Sequence, residues 1–362
     1  MTTHFWRGRR VLVTGHTGFK GSWLSLWLQA LGADVVGFAL APPTVPSLFE
    51  EADVADGMTS IIGDIRDRAA LCDALKRAEP EIVIHMAAQA LVRYGYQNPV
   101  DTYEVNVIGL VNLFEAIRQT PQVRAVVNVT SDKCYENREW VWGYRETDAM
   151  GGFDPYSSSK GCAELVTSAY RRSYFSGADH AVALGSARAG NVIGGGDWAP
   201  GRLIPDIVQA ISVGEPVQIR NPMSIRPWQH VMEPLSGYLT LAERLCVDGS
   251  NFADAWNFGP GMEGTRPVQW IVERLTELWG NKASWTLDSV AGPHEAQVLL
   301  LDCAKARTGL GWRPVWTLSQ TLEKIAAWYK SHLAGQNMKA FTLGQINEFE
   351  HQSQQQIKET DQ

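Results

Sequence analysis

A chain of 362 residues with 45% apolar content is long enough for one large α/β domain or for two lobes sharing a cleft. Its 39 acidic against 32 basic residues give a formal charge of −7, which disfavours a surface that tracks nucleic-acid phosphates but leaves room for a local arginine cluster holding a small anion. Five cysteines at wide, unpatterned spacing read as reduced thiols rather than a disulfide framework or zinc site, no run of 18 apolar residues offers a membrane span, and "MTTHFWRGRRVLVTG" enters a strand too soon for a signal peptide.

A cytoplasmic protein with no structural metal, no nucleic-acid partner and no membrane partner is therefore expected. In chain order, the apolar run "RVLVTG" reads as a first strand and "SWLSLWLQAL" as the helix after it, with Trp23 and Trp27 at helical spacing for the core. Between them, "VLVTGHTGFKGSWL" places Gly15, Gly18 and Gly21 where the strand turns into the helix. Gly15 permits the tight turn, Gly18 lets backbone approach a pyrophosphate, and Gly21 allows close helix packing, so the loop, with His16, Phe19 and Lys20, reads as a dinucleotide site. The runs "ADVVGFAL", "TSIIGDI", "EIVIHMAA", "AVVNVTS" and "AVALGSARAG" follow as further strands, apolar almost throughout and so buried on both faces. Helical patterns separate them in "AALCDALKRA", "TYEVNVIGLVNLFEAIRQ" and "YSSSKGCAELVTSAYRRSYF". This βαβ series predicts an α/β fold with a Rossmann-type doubly wound parallel sheet.

After about residue 188 the alternation loosens and Gly, Pro and Trp thicken in "GNVIGGGDWAPGRLIP", "RNPMSIRPWQHV" and "NFGPGMEGTRP". A smaller C-terminal substrate-binding lobe is expected there, with helices in "DIVQAIS", "VQWIVERLTELWG" and "LSQTLEKIAAWYKSHL". The expected division is a dinucleotide lobe at 1–187, with a return of residues around 222–257 left open, a substrate lobe at 188–335 and a polar, partly disordered tail at 336–362. No histidine pair has ligand spacing, so His85, His230 and His294 read as structural rather than metal-binding.

The chemistry concentrates in two places. "YSSSK" puts Tyr156 and Lys160 four residues apart at a helix start, on one face. A phenol titrates near ~10 in water, and a neighbouring ammonium together with a positive nicotinamide ring would lower that value, making a base that takes a hydroxyl proton while NAD takes the hydride from the same carbon. Ser131, at the end of the fifth strand, would hydrogen-bond the same oxygen. Directly after it, "SDK" sets Asp132 and Lys133 side by side at the end of a core strand, where a charged pair does little for stability.

The GxxGxxG spacing, the strand-end serine and YxxxK together resemble the extended short-chain dehydrogenases/reductases that act on nucleotide sugars, over roughly residues 8 to 330. The resemblance implies an adenine contact at Asp64 and Ile65 in "GDIRD" and a nicotinamide-ribose contact at Ala87 and Ala88 in "HMAAQ". The carboxylate that usually ends the second strand and holds the adenosine ribose is missing from "GFALAPPT", and either polar contact from His16 and Lys20 or looser cofactor binding is expected in its place. Asn191, Arg202 and Arg226, in "RAGN", "GRLIP" and "IRPWQHV", match in order the family's segments around the sugar-nucleotide diphosphate, and Asn257 in "WNFGPG" is a weaker match.

Within the group, 4-epimerases carry small or uncharged residues after the strand-end serine, whereas hexose 4,6-dehydratases carry an acidic pair. Asp132-Lys133 is most similar to the dehydratases that act on CDP-glucose. It implies Asp132 as the acid at O6 and Lys133 near C5, as an amine base or through an ordered water. The resemblance further implies NAD, deoxysugar biosynthesis of the kind that serves lipopolysaccharide O-antigen, and a homodimer or homotetramer formed through the helices near Tyr156 and Asn106. A dehydratase or epimerase of another nucleotide sugar, or a non-catalytic NAD-binding regulator, stays open; the regulator would have no need for Tyr156, Lys160 and Asp132 together.

Overall fold

Short runs of β-branched and apolar residues become six parallel strands, β1 (Arg10–Thr14), β2 (Asp34–Ala39), β3 (Thr59–Ile62), β4 (Ile82–His85), β5 (Ala125–Val129) and β6 (Ala183–Ala189). The computed structural model describes residues 3–177, 182–280, 284–288 and 296–360, which leaves His294 outside the described residues. A seventh strand, Ala255–Phe258, returns from the C-terminal half to pair with β6, and the sheet runs in the order Ala255–Phe258, β6, β5, β4, β1, β2, β3. This is the doubly wound arrangement expected, with the strand order reversing beside β1.

The alternation of side chains along β1 shows why the strands are apolar throughout. Val11 and Val13 belong to a core shared with Trp23, Trp27, Leu235 and Tyr238, whereas Leu12 faces Leu71, Leu75, Leu113 and Phe114 on the other side. Helices cover both faces, so both parities must be apolar. The first layer includes a helix missed by the sequence reading, Met232–Asp248, which packs on β4, β5 and β6. Pro234 and Gly237 mask its periodicity, yet proline is tolerated in a first turn, where its missing N–H has no partner to lose.

Two further differences bear on function. The expected helix 102–119 is interrupted by a π turn at Glu104–Ile108, between Pro99–Tyr103 and Gly109–Ile117. The polar tail forms a 23-residue helix, Met338–Thr360, instead of disorder. Its buried Ile346 and Phe349 seat it, Trp27 Nε1 donates to Glu350 Oε1 at 2.8 Å, Trp316 Nε1 donates to Gln352 Oε1 at 2.8 Å, and Lys324 pairs with Glu348 at 2.6 Å. Three buried apolar residues, Met338, Ile346 and Phe349, are enough because part of the contact comes from indole rings outside the tail, with Phe349 edge-on to Trp27 and Trp316.

Candidate active site

The register of the sheet brings the site loops to one edge. Thr14 is aligned with Phe38 on β2 and with His85 on β4, and His85 with Asn128 on β5, so the segments after β1, β4 and β5 all leave the same end. Thr14 Oγ1 meets His85 Nδ1 at 2.6 Å and accepts from the backbone N–H groups of Met86 and Ala87 at 3.1 and 3.2 Å, fixing the Ala87-Ala88 segment beside the glycine loop. A Cβ on Gly15 would lie 2.7 Å from Ala87 N, and one on Gly21 2.0 Å from Gly15 O. Gly18 caps the helix Phe19–Ala30 with no side-chain cap bond and no acid in its first turn, leaving a helix N-terminus open to an anion. This cradle, closed by backbone contacts that only glycine allows, fits the pyrophosphate of a dinucleotide.

The two polar residues of the loop diverge from what was expected of them. The His16 ring is buried over Gly37, edge-on to Phe49 at 5.4 Å and with Nε2 2.7 Å from Ser60 Oγ; burial lowers its pKa to about 4. It seals β2 against β3 and leaves a ligand only its backbone. Lys20 points the other way, into the cleft, where burial and then the charges of Lys160 and Arg202 lower its pKa to about 7, against the pull of Asp132 and Asp197. It stands beside the reacting groups rather than at an adenosine ribose, so neither side chain replaces the missing carboxylate. At the far end of the same edge Asp64 is gripped by Arg66 at 2.6 Å, and Ile65 is buried against Gly109.

The reacting groups converge in a cleft of about 980 Å³ lined by, among others, Lys20, Asp132, Lys133, Tyr156, Arg202 and Arg226. Asp154 caps the helix Pro155–Ser173 through Ser157 N at 3.0 Å, with Pro155 in the first turn, which fixes where Tyr156 emerges. Ser131 caps the short turn Asp132–Cys134, its Oγ accepting from Lys133 N at 3.3 Å and donating to Asp132 Oδ1 at 3.0 Å. The other carboxylate oxygen, Asp132 Oδ2, is buried without a partner, and a Cβ at Gly190 would lie 1.7 Å from it, so glycine at 190 makes the space this carboxyl occupies. Burial raises the Asp132 pKa against the opposing pull of Lys133, Ser131 and Arg226. Lys133 is half-buried on the cleft wall.

Tyr156 differs from the sequence reading. Burial pushes its phenol up to about 12; the Ser131 hydroxyl and the Arg202 guanidinium favour its ionised form, while Asp132 and Asp154 oppose it. In the protein alone, desolvation outweighs every neighbouring cation. Lys160, one turn on, is itself lowered to about 8 by burial.

The proposed diphosphate residues separate into two groups. Asn191 lines the cleft in a left-handed conformation, φ 45°, and Arg202 lines it from the cap position of the helix Leu203–Ser212, paired with Asp197 at 3.1 Å. Arg226 also lines it, although its guanidinium donates to the carbonyls of Ile225 at 2.9 Å and Gln297 at 3.2 Å. Asn257 is fully buried: its amide donates to Tyr144 O at 2.8 Å and Asp302 O at 3.1 Å and accepts from Tyr135 Oη at 2.7 Å. With donors and acceptor already engaged and no place on the cleft wall, it is a tie between strands and not a substrate contact. His85 and His230 are buried and structural, and no cluster of metal-ligating side chains occurs among the described residues.

Sequence reasoning used Asn106 only to mark a dimer-forming helix and missed its place at the site. The π turn points its amide at Gln89 O, 3.0 Å, and Ser159 Oγ, 2.8 Å, clamping the segment after β4 to the helix of Tyr156. π turns recur where a side chain must be re-aimed at a site, and nothing in a helical pattern announces one. Arg188 was legible in principle, as a lone charge in the apolar strand "AVALGSARAG".

The model of the GDP-mannose 4,6 dehydratase family matches residues 12–325. A CDP-glucose 4,6-dehydratase of Salmonella typhimurium is 56% identical over 349 residues, 96% of this chain and 97% of that protein. Among solved structures, a UDP-glucose 4-epimerase of Thermotoga maritima superposes with a TM-score of 0.78 at 22% identity, over 89% of this chain and 99% of that one. A dTDP-glucose 4,6-dehydratase of Bacillus anthracis solved with NAD gives 0.74 at 22% identity, over 91% and 99%.

Proposed function

The chain belongs to the GDP-mannose 4,6 dehydratase family, and from that premise we propose that it is an NAD-dependent nucleotide-sugar 4,6-dehydratase converting CDP-D-glucose to CDP-4-keto-6-deoxy-D-glucose and water in deoxysugar biosynthesis. The observation that carries the substrate is the 56% identity to a CDP-glucose 4,6-dehydratase along nearly the whole of both chains. The Asp132-Lys133 pair at the cleft supports elimination over simple epimerisation, which has no use for a buried protonatable carboxyl.

NAD, when bound, supplies the acceptor for the C4 hydride and returns it to C6, so no net redox change occurs. Gly15, Gly18, Phe19 and Gly21, the backbone of His16, Asp64 and Ile65 at one end and Ala87, Ala88, Tyr156 and Lys160 at the other would hold it. Tyr156 takes the proton of the C4 hydroxyl, with Ser131 hydrogen-bonded to the same oxygen and Lys160 and Arg202 offsetting the negative charge that develops. Asp132, held toward its protonated form by burial, gives its proton to O6 as the C6–O6 bond breaks. Lys133 lies on the same wall to remove the C5 proton, made acidic by the neighbouring ketone, and to return it to C5 as C6 gains the hydride. Arg202, Arg226 and Asn191 bind the diphosphate end.

Residues 1–187, with the returning helix Met232–Asp248 and strand Ala255–Phe258, serve as the cofactor lobe, and the rest of 188–335 as the substrate lobe. The protein works in the cytoplasm as a homodimer or homotetramer; Val100, Ile108 and Leu165, 70%, 53% and 61% exposed, leave an apolar face on the helices around Asn106 and after Tyr156 to be covered by a second copy. No helix among the described residues is long and apolar enough to cross a membrane. Incubation with CDP-, UDP-, dTDP- and GDP-hexoses tests the reading: a 4-keto-6-deoxy product from CDP-glucose alone, with deuterium at C4 appearing in the product's methyl group, is expected. Stoichiometric release of NADH would make the protein an ordinary dehydrogenase, and a C4-inverted product an epimerase.

A further inference from the structure

Below the reacting groups lies a second set of charges that the reaction itself does not use. Glu164 follows Lys160 by four residues on the helix Pro155–Ser173, so the two side chains share a face. Glu164 is 4% exposed and does not bond Lys160 directly. One carboxylate oxygen accepts from Thr130 Oγ1 at 2.5 Å, the other from Ser186 Oγ at 2.8 Å and from Arg188 NH2 at 2.8 Å. Arg188 in turn donates to Tyr135 Oη at 2.8 Å and to Glu146 O at 3.1 Å. The carboxylate is thus fixed to β5 one residue before Ser131, to β6, and through Arg188 to the segment that follows Asp132.

We propose that Glu164 is the counter-charge of Lys160, acting from one helical turn below through a carboxylate locked by Thr130, Ser186 and Arg188. Charges facing Lys160 from the packed elements make such a counterweight necessary. Lys20, from the helix Phe19–Ala30, repels it, and His85 on β4 is buried and neutral, its pKa lowered to about 3. Cys134, in the turn Asp132–Cys134, has its thiol pushed well up by burial, so it stays neutral and contributes no charge. Among the described residues Glu164 is then the ionised carboxylate acting on Lys160, against burial, which lowers the lysine pKa to about 8. Arg188 limits this effect, because a buried ion pair 2.8 Å apart projects less field than a lone carboxylate.

This inference rests on the reading of Lys160 as a working cation of the dehydratase, and its test does not need the reaction. Lysine 13Cε resonances of the ligand-free protein, with Lys160 assigned by its loss in Lys160→Arg, report the titration directly. Glu164→Gln is expected to lower the Lys160 midpoint by about 1 pH unit or more, the shift typical of losing a nearby opposite charge. Glu164→Asp, which keeps the carboxylate, is expected to hold the midpoint near its wild-type value. A midpoint that falls in Glu164→Gln and recovers in Glu164→Asp cannot come from loosened packing alone, and the Glu164→Gln shift gives a reading by itself if the aspartate variant does not fold. With CDP-glucose, the alkaline limb of kcat/KM in Glu164→Gln is expected to move down by the same interval while KM at neutral pH holds. A Lys160 midpoint unmoved in Glu164→Gln would overturn the proposal and leave Glu164 a structural residue; a moved midpoint without the matching kinetic limb would instead count against Lys160 as the working cation.

Discussion

Asp132 and Glu164 are both buried carboxylates, 2% and 4% exposed, at opposite ends of one stack of side chains, yet their surroundings drive them in opposite directions. Asp132 has one oxygen without a partner and its pKa is raised by burial. Glu164 has donors on both oxygens and an arginine in contact, and its pKa is lowered even though burial acts on it as strongly. Burial sets the cost of a charge; the number of donors decides whether the charge is kept. Nearer the cleft the surroundings favour the protonated form of a carboxyl, and a turn below Lys160 they favour the ionised form. Tyr156 sits between these extremes, its phenol pushed to about 12 with only Ser131 and Arg202 favouring ionisation.

If Tyr156 is the base, then Tyr156→Phe has the largest effect, a loss of about 10⁴-fold in turnover, the upper end for a positioned proton-transfer group. CDP-glucose affinity by calorimetry should stay close to wild type, because the phenolate is needed in the transition state and little of it in the ground state. Substantial residual turnover in a folded Tyr156→Phe protein would move the base elsewhere.

Asp132→Asn comes next, at about 10³-fold. Because an amide is a poor acid at neutral pH, a CDP-4-ketohexose that retains its 6-hydroxyl should build up in a single turnover. Here the contrast with Glu164 is sharpest: Glu164→Ala strips a buried ion pair and should cost stability, about 3–5 kcal/mol by denaturant unfolding, whereas Asp132→Asn should cost none. If both variants unfolded alike, the distinction between a functional and a structural carboxylate would collapse. Lys133→Met is expected to be milder, about 10²-fold, with slower exchange of the C5 proton into deuterated solvent. Full activity there would make the lysine a counter-ion and assign both proton transfers to Asp132 or a water it holds.

Much of this arrangement could be read from the chain. The parallel sheet follows from uniformly apolar strands, and the glycine loop, Ser131, Asp132, Tyr156 and Lys160 follow from spacing, because each needs only its own strand or helix to be placed correctly. What could not be read depends on distant segments. His16 looks like a polar loop residue until Gly37, 21 positions on, offers the notch that its ring fills. Asn257 looks like a site residue until Tyr135, Tyr144 and Asp302 use up its amide. Gly190 reads as a turn residue, yet its missing Cβ is the room in which Asp132 sits. The tail helix was hidden because part of its apolar contact is supplied by Trp27 and Trp316.

The smallest expected effect is also the most direct test of the two carboxylates' opposite states. A carboxyl whose folded pKa lies above its unfolded value contributes stability that is fully present below the unfolded value and is lost as pH rises through the folded one. Asp132 is such a group; Glu164, with a lowered value, contributes stability above the unfolded value that is lost as pH falls through the folded one. Asparagine at 132 cannot ionise, so subtracting wild type from Asp132→Asn removes Glu164 and every other shared group from the comparison. The variant's Tm should match wild type below about pH 4, the ordinary aspartate range, then exceed it by a margin that grows as pH rises toward the folded Asp132 value and levels off above it. A margin that instead turned against the variant as pH rose would mean that Asp132 is held ionised like Glu164, and the proton for O6 would have to come from another donor in the cleft.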